Sequence, residues 1–235
     1  MEIGFLTILA LGCVLGIKHA IEPDHIIAVS TIASQSKKLH RSTLAGVFWG
    51  IGHTATLFII GVILILMKGE IPVKVAMSLE FLVGIMLVYL GLTTFHSFKK
   101  RIRHQKELDA EVHSHAHSHG NGTQHIHNVK VSYVKSMMIG LVHGLAGSGA
   151  MVLLTMSTVK SVGEAIIYIL IFGAGTVIGM LFFTTIIGLP FVYSAKKFSL
   201  NKGLTQITGA ISVGFGVYYM YNLGVTEGLF RLWIQ

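Results

Sequence analysis

The chain has 235 residues, of which 52% are apolar and only 12% are charged, and its formal net charge is +8. Soluble domains carry about twice that charged fraction, so the composition indicates an integral membrane protein, in which positive charges between apolar runs reflect membrane orientation rather than nucleic-acid binding. The single cysteine, Cys13, excludes an intramolecular disulfide and a thiol pair that would carry electrons across the membrane.

Apolar runs predict an all-α protein with six transmembrane helices, because several runs approach the roughly 20 residues needed to cross a bilayer. The predicted spans are 3–34, 44–67, 75–95, 133–158, 163–189 and 204–224. As a straight helix the first span would reach about 48 Å, against a hydrocarbon core of about 30 Å. A kink, a tilt or a partly re-entrant segment is therefore predicted there.

The interruption of the first span is predicted at Pro23. This proline lies in residues 16–25, which carry five ionisable side chains. Ionisable groups are costly inside a membrane, so such a cluster indicates a functional site. Proline lacks a backbone N–H and clashes with the carbonyl four residues back, so a break would turn His19, Asp24 and His25 toward one another and free the His19 carbonyl as a further ligand. Two imidazoles and a carboxylate suit Ni²⁺, Co²⁺ or Zn²⁺. A proton relay or a buried structural network is the alternative.

The two halves of the chain repeat one another, which predicts two inverted three-helix repeats. Three pairs of segments align: residues 16–19 with 140–143, residues 50–53 with 173–176, and Gly84 and Gly91 with Gly209 and Gly216. Each unit has three spans, an odd number, so the second copy enters the membrane the other way up. Secondary transporters with this plan bind their substrate near the midplane, on interrupted helices.

Two further histidines in predicted spans complete the candidate metal site. His53 lies in the second span among glycines, and His143 matches His19 in the repeat. A structural core histidine is the alternative for each. Glu80, near the start of the third span, is predicted to lie at the membrane interface. Lys18 either extends to the interface or replaces the charge of the metal when the site is empty.

The polar connector 97–132 separates the first repeat, 1–96, from the second, 133–235. Its composition predicts disorder, and histidine-rich tracts bind metals, so a cytoplasmic metal buffer or sensor is predicted there. The loop histidines assigned to metal binding are His113, His115, His117, His119, His125 and His127.

The distribution of basic residues predicts the orientation of the spans in the plasma membrane. If both termini lie outside, the outer segments contain only Lys68, Lys74, Lys160 and Arg231, and the other basic residues between spans lie inside. Positive charge concentrates on the cytoplasmic side of membrane proteins. The histidine-rich connector is therefore predicted to be cytoplasmic.

The spacing His19-x4-Asp24-His25 resembles the His-x4-Asp-His signature of the nickel/cobalt transporter (NiCoT) superfamily, and Gly52-His53-Thr54 resembles the second histidine motif of that family. Six spans in 235 residues are similar to the shorter UreH-type urease-accessory nickel permeases. The resemblance implies a permease for Ni²⁺ or Co²⁺, with the signature residues in the selectivity site. The acidic residues that longer members carry in a later helix have no match around 143–150.

The predicted function is translocation of a divalent transition metal, Ni²⁺ or Co²⁺, in the direction of uptake, with the metal as substrate and no permanently bound cofactor. Metal efflux, export of a small anion or metabolite, and a non-transporting membrane protein that delivers metal are the alternatives. An enzyme is not predicted, because the His-Glu-x-x-His arrangement of metalloproteases is absent. The expected partners are the metal ion and the bilayer, without nucleic acid.

Overall fold

The computed structural model describes residues 3–36, 38–67, 71–114, 132–158 and 161–234, without the side chains of 3, 5, 98–114 and 147–158. All regular structure in these residues is helical, which confirms the predicted all-α class. The elements are α1 Ile3–His19, α2 Pro23–Ser34, α3 Leu39–Met67, α4 Val73–Ser114, α5 Tyr133–Thr158, α6 Val162–Ser194, α7 Phe198–Tyr221, a π-helical turn Asn222–Thr226, and α8 Leu229–Ile234.

The first span is broken between α1 and α2, whose axes differ by 56°. Pro23 is the first residue of α2, a position where its missing N–H costs no helical hydrogen bond and its fixed φ favours the helix. The break therefore precedes the proline. The predicted free carbonyl at His19 is wrong, because this oxygen accepts the N–H of Glu22 at 3.1 Å.

Three described helical segments are long and apolar enough to cross a membrane, and the bent α1–α2 pair makes a fourth if its two helices are counted as one span. The three are Leu39–Met67, Val73–Ser97 and Val162–Ser194. The predicted spans at 133–158 and 204–224 coincide with α5 and α7, but neither helix meets that criterion. Both carry several glycines and polar side chains, which lower their hydropathy. The six-span prediction is thus not confirmed.

Helix α4 extends beyond residue 95, where the predicted membrane span ends, and continues to Ser114. It thus includes residues 97–114 of the connector for which the sequence predicts disorder. This segment contains no glycine or proline and is rich in Lys, Arg, Gln and Glu, all of which are good helix formers. The high polarity of this segment indicates that it is not buried, but it is compatible with an exposed helix.

The long helices pack through glycines that bring two backbones together. Helix α1 runs along α6, α3 lies against both α5 and α6, and α4 runs along α7. A Cβ atom on Gly16 would overlap the carbonyl oxygen of Phe172 in α6, and one on Gly140 would overlap that of Trp49 in α3. Such close approach is typical of helix packing in membranes. It encloses the α1–α2 break between the other long helices.

Candidate metal site

The end of α1 and the middle of α3 bring two imidazoles together. Nε2 of His19 lies 3.0 Å from Nε2 of His53. His53 is fully buried, and the adjacent Gly52 allows the backbone of α5 to approach at Met137. Two histidine nitrogens at this separation can donate to the same metal ion or share one proton.

Asp24, in the first turn of α2, joins the second pair of imidazoles. Its Oδ1 accepts the backbone N–H of His25 at 2.9 Å and lies 3.1 Å from Nδ1 of His25. Its Oδ2 lies 3.0 Å from Nε2 of His143 in α5. The helix dipole favours a carboxylate at this position. The break between α1 and α2 is what places an acidic residue at a helix N-terminus deep inside the protein.

The structure thus brings all five predicted ligands around one point. They form two groups of three, and the ligand atoms within each group lie within 4.8 Å of one another. The groups are His19, His25 and His53, and Asp24, His25 and His143. His25 belongs to both. Imidazole and carboxylate donors suit nickel, cobalt or zinc, and the assignment of these residues to a metal stays a prediction.

Three buried imidazoles in the cluster have a ring nitrogen without a hydrogen-bond partner among the described residues. The atoms are Nε2 of His25, Nδ1 of His53 and Nδ1 of His143. A buried unsatisfied polar atom costs about 1–3 kcal/mol, so several such atoms in one place indicate a ligand-binding site rather than a structural network. This observation favours the metal-site interpretation over buried core histidines.

The cluster lines a cavity of about 330 Å³ to which all the long helices contribute. Besides the five ligands, its charged lining residues are Lys18, Glu22 and Glu80. With neutral imidazoles, three carboxylates and one ammonium give a formal charge of −2. This charge matches a divalent cation and opposes the binding of an anion.

Aromatic rings form part of the wall around the imidazoles. The indole of Trp49 stacks on His25, with centroids 6.3 Å apart and planes 15° apart, and Phe172 lies 5.6 Å from the ring of His19. Trp49 is completely buried. These rings fix the imidazoles in place and limit access of water to the cluster.

Two acidic residues belong to the cavity although the sequence did not assign them to the site. Oε2 of Glu22 lies 2.9 Å from Nδ1 of His19, a carboxylate–imidazole pair that orients the ring. The proximity of Glu22 to His19 in the sequence was an available signal. Glu80 lies half-buried in the cavity wall, where it accepts a hydrogen bond from Tyr219, and its location at the membrane interface stays a prediction.

The six loop histidines lie outside what the structure describes. The side chain of His113 and the residues His115, His117, His119, His125 and His127 have no described placement. Metal binding by the loop therefore stays a prediction.

Comparison with known proteins finds one matching family and several relatives. The family described as high-affinity nickel-transport protein, NicO, matches residues 5–226. The chain is 60% identical to the urease accessory protein UreH of Bacillus sp. (strain TB-90), with 100% of this chain and 99% of that protein covered. It is 26% identical to MJ1092 of Methanocaldococcus jannaschii, provisionally named a nickel/cobalt efflux system, over 87% of this chain and 88% of that protein.

A more distant relative is the chloroplast protein FOR GROWTH AND FERTILITY 1 of Arabidopsis thaliana. The two are 24% identical over 91% of this chain, which spans only 59% of the plant protein. No solved structure matches.

Proposed function

Because this chain belongs to the NicO family of high-affinity nickel-transport proteins, we propose that it is a permease that carries Ni²⁺, or Co²⁺, through the cavity at the α1–α2 break. It is a membrane transport protein and not an enzyme. The observation that carries this site is the convergence of five ligand side chains from α1, α2, α3 and α5 on one negatively charged cavity.

The two overlapping ligand groups support passage of an ion rather than permanent storage. An ion held by His19, His25 and His53 can move to Asp24, His25 and His143 while it stays next to His25, the residue that the two groups share. Ligands are then close at hand on both sides of the step, so the ion does not have to recover its full hydration shell. A transport site must bind strongly enough to admit the ion and weakly enough to release it.

The protein crosses the membrane six times in this proposal, with α5 and α7 as spans beside the more apolar helices. Contacts along the helices support it. Gly140 and Gly144 of α5 meet Trp49 and His53 of α3, so these helices run parallel. By the same reasoning α1 runs parallel to α6, whereas α4 and α7 are antiparallel. All three relationships fit six consecutive crossings.

Matched contacts support two inverted repeats as well. Gly16 packs on the backbone of Phe172, and the equivalent Gly140 packs on that of Trp49, which the repeat aligns with Phe172. Gly84 meets Gly216, and Gly91 meets Gly209. Rocking of one repeat against the other would open the site to each side in turn.

The proposed orientation has both termini outside and the histidine-rich connector in the cytoplasm, where it would buffer or sense incoming metal. Uptake is the proposed direction, since a urease accessory relative at 60% identity points to use of the metal inside the cell. Efflux is the second candidate, because of the name of the relative MJ1092.

Accumulation of radioactive nickel in cells that lack their own nickel transporters tests the proposal. The strains carry the wild-type chain, the His25→Ala variant or an empty vector, with the protein quantified in isolated membranes. We expect higher accumulation with the wild type alone, because His25 belongs to both ligand groups.

The other outcomes separate the alternatives. Lower accumulation with increased metal tolerance in the wild-type strain would establish efflux. Equal accumulation in the three strains, with the protein present in the membrane, would contradict nickel transport and favour an anion carrier or a metal-delivery protein. Wild-type activity in the His25→Ala strain would contradict the site assignment.

A further inference from the structure

A carboxylate outside the five-ligand set lines the same cavity. Glu80 is half-buried in the wall that α4 contributes, together with Val83 one turn further along the helix. In the part of the chain that the structure describes, no Lys or Arg nitrogen lies within 4.0 Å of its carboxylate. An unneutralised carboxylate at membrane depth indicates a functional role.

One phenol holds this carboxylate in place. The hydroxyl of Tyr219 in α7 donates to Oε2 of Glu80 at 3.4 Å. The Tyr219 ring stacks on Phe215, with planes 11° apart and centroids 6.0 Å apart. The close contact of Gly84 with Gly216 fixes α4 against α7 one turn away. The hydrogen bond occupies one oxygen of Glu80 and leaves the other for a ligand.

The position of Glu80 along α4 places it toward one end of the molecule. It lies seven residues after Val73, where α4 begins, or about 10 Å along the axis. Because α4 and α7 are antiparallel, Tyr219 also lies near the end where α7 stops. In the proposed orientation, this is the outer end of the cavity.

We propose that Glu80, positioned by Tyr219, is a separate station for the divalent cation between the end of the molecule where α4 begins and the imidazole cluster. The station rests on the proposed transport function. The carboxylate attracts the hydrated cation and takes up part of its charge before the histidines replace the bound water. Its contribution is to capture the ion at low concentration rather than to speed its passage once bound.

Concentration dependence of nickel uptake tests this station. Initial rates are measured over a range of Ni²⁺ concentrations in cells lacking other nickel transporters, for the wild type, Glu80→Gln and Tyr219→Phe. The matched control is Glu164→Gln, the same chemical change in the first turn of α6, outside the cavity lining. All amounts are normalised to protein in the membrane.

We expect Glu80→Gln to raise the KM for nickel about tenfold, the scale of electrostatic capture, with little change in the maximal rate. Tyr219→Phe should raise the KM less, and Glu164→Gln should match the wild type. The KM difference between wild type and Glu80→Gln should shrink as ionic strength rises, because salt screens attraction of an ion to a partly exposed charge. A merely structural role would not produce this salt dependence.

An unchanged KM in Glu80→Gln, while the wild type transports nickel, would overturn the station and leave the proposed function intact. A lower maximal rate at constant KM would overturn it as well, since it would assign Glu80 to structure or to the transport step. Absence of nickel flux in the wild type would instead overturn the proposed function, and the station with it.

Discussion

Asp24 and His143 come from opposite halves of the chain, yet Oδ2 of Asp24 lies 3.0 Å from Nε2 of His143 inside the protein. Asp24 is held in turn by the backbone N–H of His25. The candidate site is therefore formed by both halves. If the halves move relative to one another during transport, this contact is one that must change, which links ion binding to movement.

Loss of either partner of this pair should impair transport. Asp24→Asn and His143→Ala each remove a charge-assisted hydrogen bond and a metal ligand. Such a bond is worth about 1.5–3 kcal/mol, so each variant should lose at least about tenfold in kcat/KM for nickel. The loss in kcat/KM of the double variant should not exceed that of the more impaired single variant, because the two residues act together. Independent, additive losses would contradict this.

Close helix packing at Gly16 and Gly140 should not tolerate a methyl group. A Cβ at either position would overlap a carbonyl oxygen of the neighbouring helix, so Gly16→Ala and Gly140→Ala should each lower the free energy of unfolding by about 1–3 kcal/mol. Gly214→Ala is the control, since a Cβ added there would meet no described atom of a neighbouring element within 4 Å. Thermal unfolding of the detergent-solubilised protein measures the difference. Equal melting temperatures for all three variants would contradict the packing.

Labelling of introduced cysteines tests whether α5 crosses the membrane. In a Cys13→Ala background, Lys135→Cys lies near the start of α5 and Ser161→Cys lies beyond its end. A maleimide that cannot cross the membrane should label Ser161→Cys in intact cells and Lys135→Cys only after the cells are opened. Labelling of both in intact cells would contradict a membrane-spanning α5.

Deletion of residues 112–127 should preserve transport at saturating nickel. The deletion removes the six loop histidines, whereas the cavity ligands are all retained. We expect a changed apparent affinity or a changed response to cytoplasmic metal, measured as nickel uptake over a concentration range. Abolished uptake, with normal amounts of protein in the membrane, would assign the loop to the transport pathway itself.

Local patterns in the sequence predicted the helical class and four of the residues that the structure brings together, and the match between the two halves added His143. Apolar runs require helices in a membrane, since every backbone polar group must be bonded internally. Polar side chains such as Asp24 and His53 stand out there because they are costly to bury. The same reasoning did not assign Glu80 to the cavity, because a position near the end of a span is consistent with both the membrane interface and a cavity wall.

The sequence by itself determined that the chain is helical and apolar and that a cluster of ionisable residues surrounds an interruption of its first apolar run, close to Pro23. Only the tertiary structure decided where the break lies, that the His19 carbonyl is bonded to Glu22, and that His143 meets Asp24. The first kind of information depends on the solvation of each residue and on its nearest neighbours in the chain. The second depends on how far the glycines let the helices approach and rotate, which no single segment specifies.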